Sequence, residues 1–173
     1  SRLHPARADA TCGRCHQAAR DAFAVSAHAG AAEAADFSWA SALEGEGDAP
    51  PVCFSCHEMH GARGRPGTPS FREALAKECG ACHAALMATY VRSYHGASTL
   101  AGDAKTAKCS DCHGFHAVRG AEDPESEIGP AQKLDTCRTC HEGAPAGYAS
   151  FWTHVDPSDP DDRPLAFAVL VAG

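Results

Sequence analysis

The chain has 173 residues, 44% of them hydrophobic but only 7% aromatic, with 16 Gly, 11 Pro and a formal charge of −7. That acid excess argues against nucleic acid as a partner and favours a basic surface on a partner protein. So few large side chains among so many helix breakers cannot bury a sizeable core unaided, and the 10 Cys are where a substitute has to be sought.

The chain opens at Ser1 without Met or an apolar leader and reads as a processed or trimmed form. All ten cysteines fall in five copies of Cys-x-x-Cys-His. The first holds Cys12, Cys15 and His16 and runs into HQAARDAFAVSAH, which ends on Ser26-x-His28. Residues 17–27 are predicted helical, with Gly30 as terminator. Residues 42–51 (ALEGEGDAPP) form a predicted loop before the second motif, Cys53, Cys56 and His57, which is followed three positions on by His60. Residues 61–70 (GARGRPGTPS) read as another loop.

The third motif, Cys79, Cys82 and His83, opens HAALMATYVRSYH, equal in length to the earlier segment, with Tyr90 where that has Phe23, and ending on Ser93-x-His95. Residues 84–94 are predicted helical, with Leu86, Tyr90 and Tyr94 on one face and Gly96 as terminator. The fourth motif, Cys109, Cys112 and His113, has His116 three positions on, and CSDCHGFHAVRG matches CFSCHEMHGARG in form. A loop is predicted over residues 121–130. The fifth motif, Cys137, Cys140 and His141, has His154 13 residues on, behind Phe151 and Trp152.

The chain therefore reads as one repeat-built domain: a two-motif unit at 12–60, a second at 79–116 that lacks an 11-residue insertion, and a half unit at 137–154. Residues 155–173 follow as a polar spacer and the apolar run LAFAVLVAG. That run is too short to cross a bilayer, which takes about 20 apolar residues. It reads equally as a tail that packs on the domain or on a neighbouring subunit, or as the start of a membrane anchor beyond Pro164. With no alternating strand pattern, the expected fold is mostly α and irregular, with short helices and loops around the cofactors and little or no sheet.

Cys-x-x-Cys alone suits zinc or iron–sulfur ligation. His directly after all five pairs, in a chain with 11 His, selects covalent haem instead. Two thiols three positions apart can each form a thioether to a vinyl group of one porphyrin, and the next residue offers its imidazole to the iron. The expected cofactors are five haem c, with thioethers at Cys12, Cys15, Cys53, Cys56, Cys79, Cys82, Cys109, Cys112, Cys137 and Cys140. His16, His57, His83, His113 and His141 are then the proximal ligands. No cysteine is left for disulfides or thiol catalysis. If ferric haem cores and ionised propionates are included, the charge falls to roughly −12.

Six histidines remain. Five recur at matching places in the repeat, so His28, His60, His95, His116 and His154 are the expected distal ligands, and all five irons would be six-coordinate. A continuous helix would part His16 from His28 by about 18 Å, whereas His57 and His60 stand on one side of a turn. Each distal His is therefore expected to serve a haem other than the one it follows. His4 reads as an ordinary N-terminal residue rather than a substitute for His154 on one haem, with a ligand lent to a neighbouring molecule kept open. Met59 and Met87 read as packing residues. Asp156, Asp159, Asp161 and Asp162 lack a calcium-loop pattern and read as a solvated linker.

The paired motifs, with Ser-x-His and then Cys-x-x-Cys-His-x-x-His, resemble multihaem cytochromes c of the cytochrome c3 and doubled Cys-x-x-Cys-His class, from Cys12 to His154. His154-Val-Asp-Pro with its polar spacer and apolar run is similar to members that lead into a membrane portion. The resemblance implies an electron carrier rather than an enzyme, in the periplasm or at the cell surface, working between a membrane or quinone-linked donor and a periplasmic or extracellular acceptor. A subunit of a conductive filament or of a larger membrane redox complex is the alternative. A reductase with one open haem is a further one, although no Cys-x-x-Cys-Lys motif is present.

Overall fold

The structure, a computed structural model, describes residues 4–33, 38–39, 49–57, 68–151 and 153–154. Among these the chain is helical with irregular loops and has no strand, as expected. A 3₁₀ turn at Pro5–Arg7 precedes α1 (Ala8–Cys12), α2 (Gln17–Ala24) and α3 (Ala27–Ala32). Then come α4 (Cys53–Cys56), α5 (Pro69–Cys82), α6 (Ala84–Val91) and α7 (Tyr94–Leu100). They are followed by α8 (Cys109–His113), α9 (Lys133–Arg138) and a 3₁₀ turn at Ala146–Ser150.

The two helices predicted over 17–27 and 84–94 are each broken short of their expected ends. The break lies in the Ser-x-His itself. Ser26 and Ser93 are extended N-caps whose Oγ accepts from the amides of Ala29 (3.1 Å) and Gly96 (3.2 Å). A serine hydroxyl satisfies an orphan helix amide at this position better than it suits a helix interior. Each serine thus starts a new helix and sets His28 or His95 at its second position. Gly30 and Gly96 consequently lie inside α3 and α7 and end nothing. Gly96 has a different reason to be glycine: a Cβ there would meet the Tyr90 carbonyl oxygen at 2.0 Å, so only glycine permits the sharp fold between α6 and α7. Tyr94, 83% exposed and outside α6, does not share a buried face with Tyr90.

The longest helix, α5, went unpredicted, and it takes Pro69 and Ser70 out of the expected loop. Thr68 caps it, its Oγ1 accepting from Phe71 N–H at 3.4 Å, and Pro69 sits in the first turn, where no amide hydrogen is missed. Residues 121–130 are turns, as expected. The loop is held by Arg119, which pairs with Asp123 (2.9 Å) and Glu125 (2.8 Å). The rest of the loops at 42–51 and 61–70, the acidic residues after Asp156 and the apolar tail lie outside the described residues, apart from 49–51 and 68–70. Among the described residues no helix is long and apolar enough to cross a membrane.

Among the described residues the buried apolar side chains are Ala8, Phe71, Ala76, Tyr90 and Ala144, and no large side chain is fully buried. The helices pack in sequence neighbours and across longer separations: α1 lies against α4, α4 against α5, α5 against α6 and α8, and α6 against α7. The Ala27 amide donates to the Val118 carbonyl at 2.9 Å. This bond joins the Ser-x-His of the first unit to the segment behind the fourth motif in the second.

Candidate haem sites

Each motif closes one helical turn on itself. The amide of the motif histidine donates to the carbonyl of the first cysteine at His16 (2.9 Å), His57 (3.0 Å), His83 (2.9 Å) and His141 (2.9 Å), and in the fourth motif both residues lie within α8. That turn puts two thiols and an imidazole on one short arc. In the second and fourth motifs the residue before the second cysteine also reaches back. Ser55 Oγ accepts from Val52 N–H (3.0 Å), and Asp111 Oδ2 accepts from Lys108 N–H (2.7 Å).

The motifs neighbour one another in chain order. The Cys53 thiol is pushed up to about 11 by burial and then by Cys12 beside it. Cys79 donates to Cys109, which lowers Cys109 to about 7 and raises Cys79, and Cys56 is a further neighbour of Cys79. Cys112 is pushed up to about 11, chiefly by burial and then by Asp111, Cys137 and Cys140. Motif one thus adjoins two, two adjoins three, three adjoins four and four adjoins five.

The histidines meet in pairs across motifs. Ring centroids lie 6.1 Å apart for His28 and His83, 5.9 Å for His57 and His116, 6.0 Å for His95 and His141, and 6.3 Å for His113 and His154. Two nitrogen–metal bonds of about 2.0–2.1 Å, each extended to the centre of an imidazole, give a separation of about 6 Å. The residues therefore fit an iron held between each pair. A zinc site would gather three or four ligands, and no group of three or more His, Cys, Asp or Glu converges in that way among the described residues. Burial first, and then the facing imidazole, lowers the pKa of His28, His95, His113 and His116, His83 adding to the effect at His113. These rings are kept in the neutral form that a metal accepts.

Every described pair joins a motif histidine to a histidine that follows a different motif. His60, the expected partner from the second motif, lies outside the described residues, as does Met59. Met87 packs over the third motif, where its side chain fills the place a Cβ on Gly80 would take. Aromatic rings flank the pairs: Phe71 stacks near His57 at 6.2 Å, and Tyr148 lies 5.0 Å from His141.

His154 is held by a network that sequence reasoning missed. Its Nδ1 is 3.1 Å from the Leu86 carbonyl and 3.0 Å from Thr89 Oγ1, which itself donates to Leu86 O at 2.9 Å. A carbonyl only accepts, so Nδ1 carries the proton and Nε2 is left as the lone-pair donor. The rings of His113 and His154 cross at 75°, whereas the other three pairs are inclined by 32–37°. His4 presents the opposite tautomer: its Nδ1 accepts from Ala6 N–H at 3.2 Å, capping the first turn.

Residues 1–84 match the family model for cytochrome c7 and related cytochrome c, a stretch that includes the first three motifs. No curated protein and no solved structure matches the chain. The matched stretch, just under half of the chain, is similar to multihaem c-type cytochromes, whose cofactor is haem c and whose work is electron transfer.

Proposed function

We propose that the chain is a pentahaem electron-transfer cytochrome in which every iron is bis-histidine ligated and every distal ligand is exchanged between motifs. The observation that carries this is the set of four imidazole pairs 5.9–6.3 Å apart, each drawn from two motifs. In this reading His83 takes His28, His57 takes His116, His141 takes His95 and His113 takes His154. His60 serves His16, completing the set the repeat provides.

The cofactor supplies a one-electron couple at each site, and the chain supplies two strong-field ligands and an enclosing apolar surface. With both axial positions filled by protein, no site is left for a substrate on iron, which favours a carrier over a reductase. Thiol adjacency in chain order supports a wire that runs from the first motif to the fifth. We place the protein outside the cytoplasm, in the periplasm or at the cell surface, between a membrane or quinone-linked donor and an extracytoplasmic acceptor. Its formal charge of −7 suits a basic docking face on a redox partner.

Intact-mass and optical measurements test this. Five covalent haems, low-spin spectra in both oxidation states and no carbon monoxide adduct on reduction are expected. Fewer haems, or a high-spin fraction in the native protein, would sink the assignment. A second expectation concerns Thr89. Hydrogen bonding at Nδ1 makes an imidazole a stronger donor to its metal, so Thr89→Val should raise the midpoint potential of one haem in five. The near-perpendicular ligand planes should give that haem the most anisotropic low-spin EPR signal, and the substitution should move this signal alone. A variant indistinguishable from the parent by both readouts would count against a role for Thr89.

A further inference from the structure

Between the third and fourth motifs lies a cluster of buried donors with too few acceptors. Lys108, directly before Cys109, is 3% exposed, yet among the described residues its Nζ donates only to the Thr106 carbonyl, at 3.1 Å, and pairs with no carboxylate. Arg72, on the helix that ends in the third motif, donates Nη2 to the same carbonyl at 3.5 Å. Two cations therefore converge on one backbone oxygen.

The acid on this face is already engaged. Asp111 pairs with Arg72 Nη2 and accepts from the amide of Lys108. Arg72 Nη1 turns to the Ala104 carbonyl at 3.5 Å, while its Nε is buried without a partner. The hydroxyl of Ser110, a residue 7% exposed, is likewise buried and unpartnered. The nearby Tyr90 hydroxyl is committed to Ala107 O (2.9 Å) and Thr99 (3.0 Å). A buried ammonium normally has a counter-ion, because removing its hydration without one costs several kcal/mol in effect, roughly. Here one carboxylate faces two cations, and an ammonium, a guanidinium N–H and a hydroxyl are all left able to donate.

We propose that Lys108 and Arg72, which converge on the Thr106 carbonyl, form a buried carboxylate-binding site that receives a haem propionate from one of the motifs flanking it. This rests on the reading that those motifs carry haem. The ligand class follows from the donors: a carboxylate accepts from several N–H and O–H groups at once and supplies the one negative charge the cluster lacks. A cofactor bound at the flanking motifs carries such groups into the interior.

The test is a potentiometric titration of holoprotein carrying Lys108→Met, beside Lys108→Arg. Loss of the cation leaves a propionate uncompensated and disfavours adding an electron, so one component should shift to lower potential in Lys108→Met and return towards the parent in Lys108→Arg. The parent titration should be unchanged by added inorganic phosphate. Intact mass and low-spin absorption of the variant check haem loading separately, so a failure of the haem reading itself would be seen there. With loading intact, superimposable titrations of Lys108→Met and parent would overturn the proposal. So would a parent potential that moves with phosphate concentration, which would assign the site to a free anion.

Discussion

Replacing His28 with alanine is expected to open the iron at the third motif and leave the first six-coordinate. His28 follows His16 in sequence, but its ring faces His83 at 6.1 Å. One haem in five should become high-spin, bind carbon monoxide when reduced and shift to higher potential, since a strong donor to ferric iron has been lost. Two companion variants locate the change. In His28→Ala with Cys79 and Cys82 also replaced by alanine, the high-spin species should vanish, because the open site has been deleted. In His28→Ala with Cys12 and Cys15 replaced, it should persist. The reverse pattern would mean that each distal histidine serves its own motif. His95→Ala makes a parallel case at the fifth motif, through its 6.0 Å pairing with His141.

Exchange of this kind would tie remote parts of the chain through metal–ligand bonds. His28 would hold the first unit to the third motif, and His116 would return from the fourth motif to the second. The Ala27–Val118 hydrogen bond lies beside both ties. Helix packing already joins α1 to α4 and α5 to α8; the histidine pairs add ties between motifs that helix packing does not make.

The cofactor chemistry was legible because its spacing is rigid. Two thiols and an imidazole must occupy one turn, so Cys-x-x-Cys-His is conspicuous wherever it stands. That histidines following one motif would meet those of another was legible too, though partly on the wrong ground. Residues 17–27 are not one helix, and the 18 Å separation expected of it does not describe the chain. The break was written in Ser26 and Ser93, two good N-cap residues that were used only as repeat markers. The partner of each histidine was not legible, because it depends on which loops return to which motif. Long-range return paths leave no local periodicity.

The helix α5 escaped notice for a related reason. Its apolar positions are weakly periodic, and its plain signal was Thr68-Pro69 at the start. The Leu86 and Thr89 contacts to His154 join residues 68 and 65 positions apart and had no signature at all.

Chain made without haem should not fold. The apolar core among the described residues consists of three alanines with Phe71 and Tyr90, and none of the large side chains is fully enclosed. Burying one large apolar side chain contributes about 1.5–3 kcal/mol, whereas ordering the backbone costs about 1–2 kcal/mol for each residue. Two such side chains offset the ordering of only a few residues. Most helices here have eight residues or fewer, too short to persist alone in water. In the proposed reading the porphyrins and the iron–histidine bonds supply the rest. Replacing all ten cysteines with alanine should therefore give far-UV circular dichroism close to that of an unfolded chain and no cooperative transition with temperature or urea. The holoprotein under the same conditions should show helix and a sharp transition. A cysteine-free chain that keeps native helix content and unfolds cooperatively would place the stability in the polypeptide, and would remove the argument that five haem sites are what this sequence is built around.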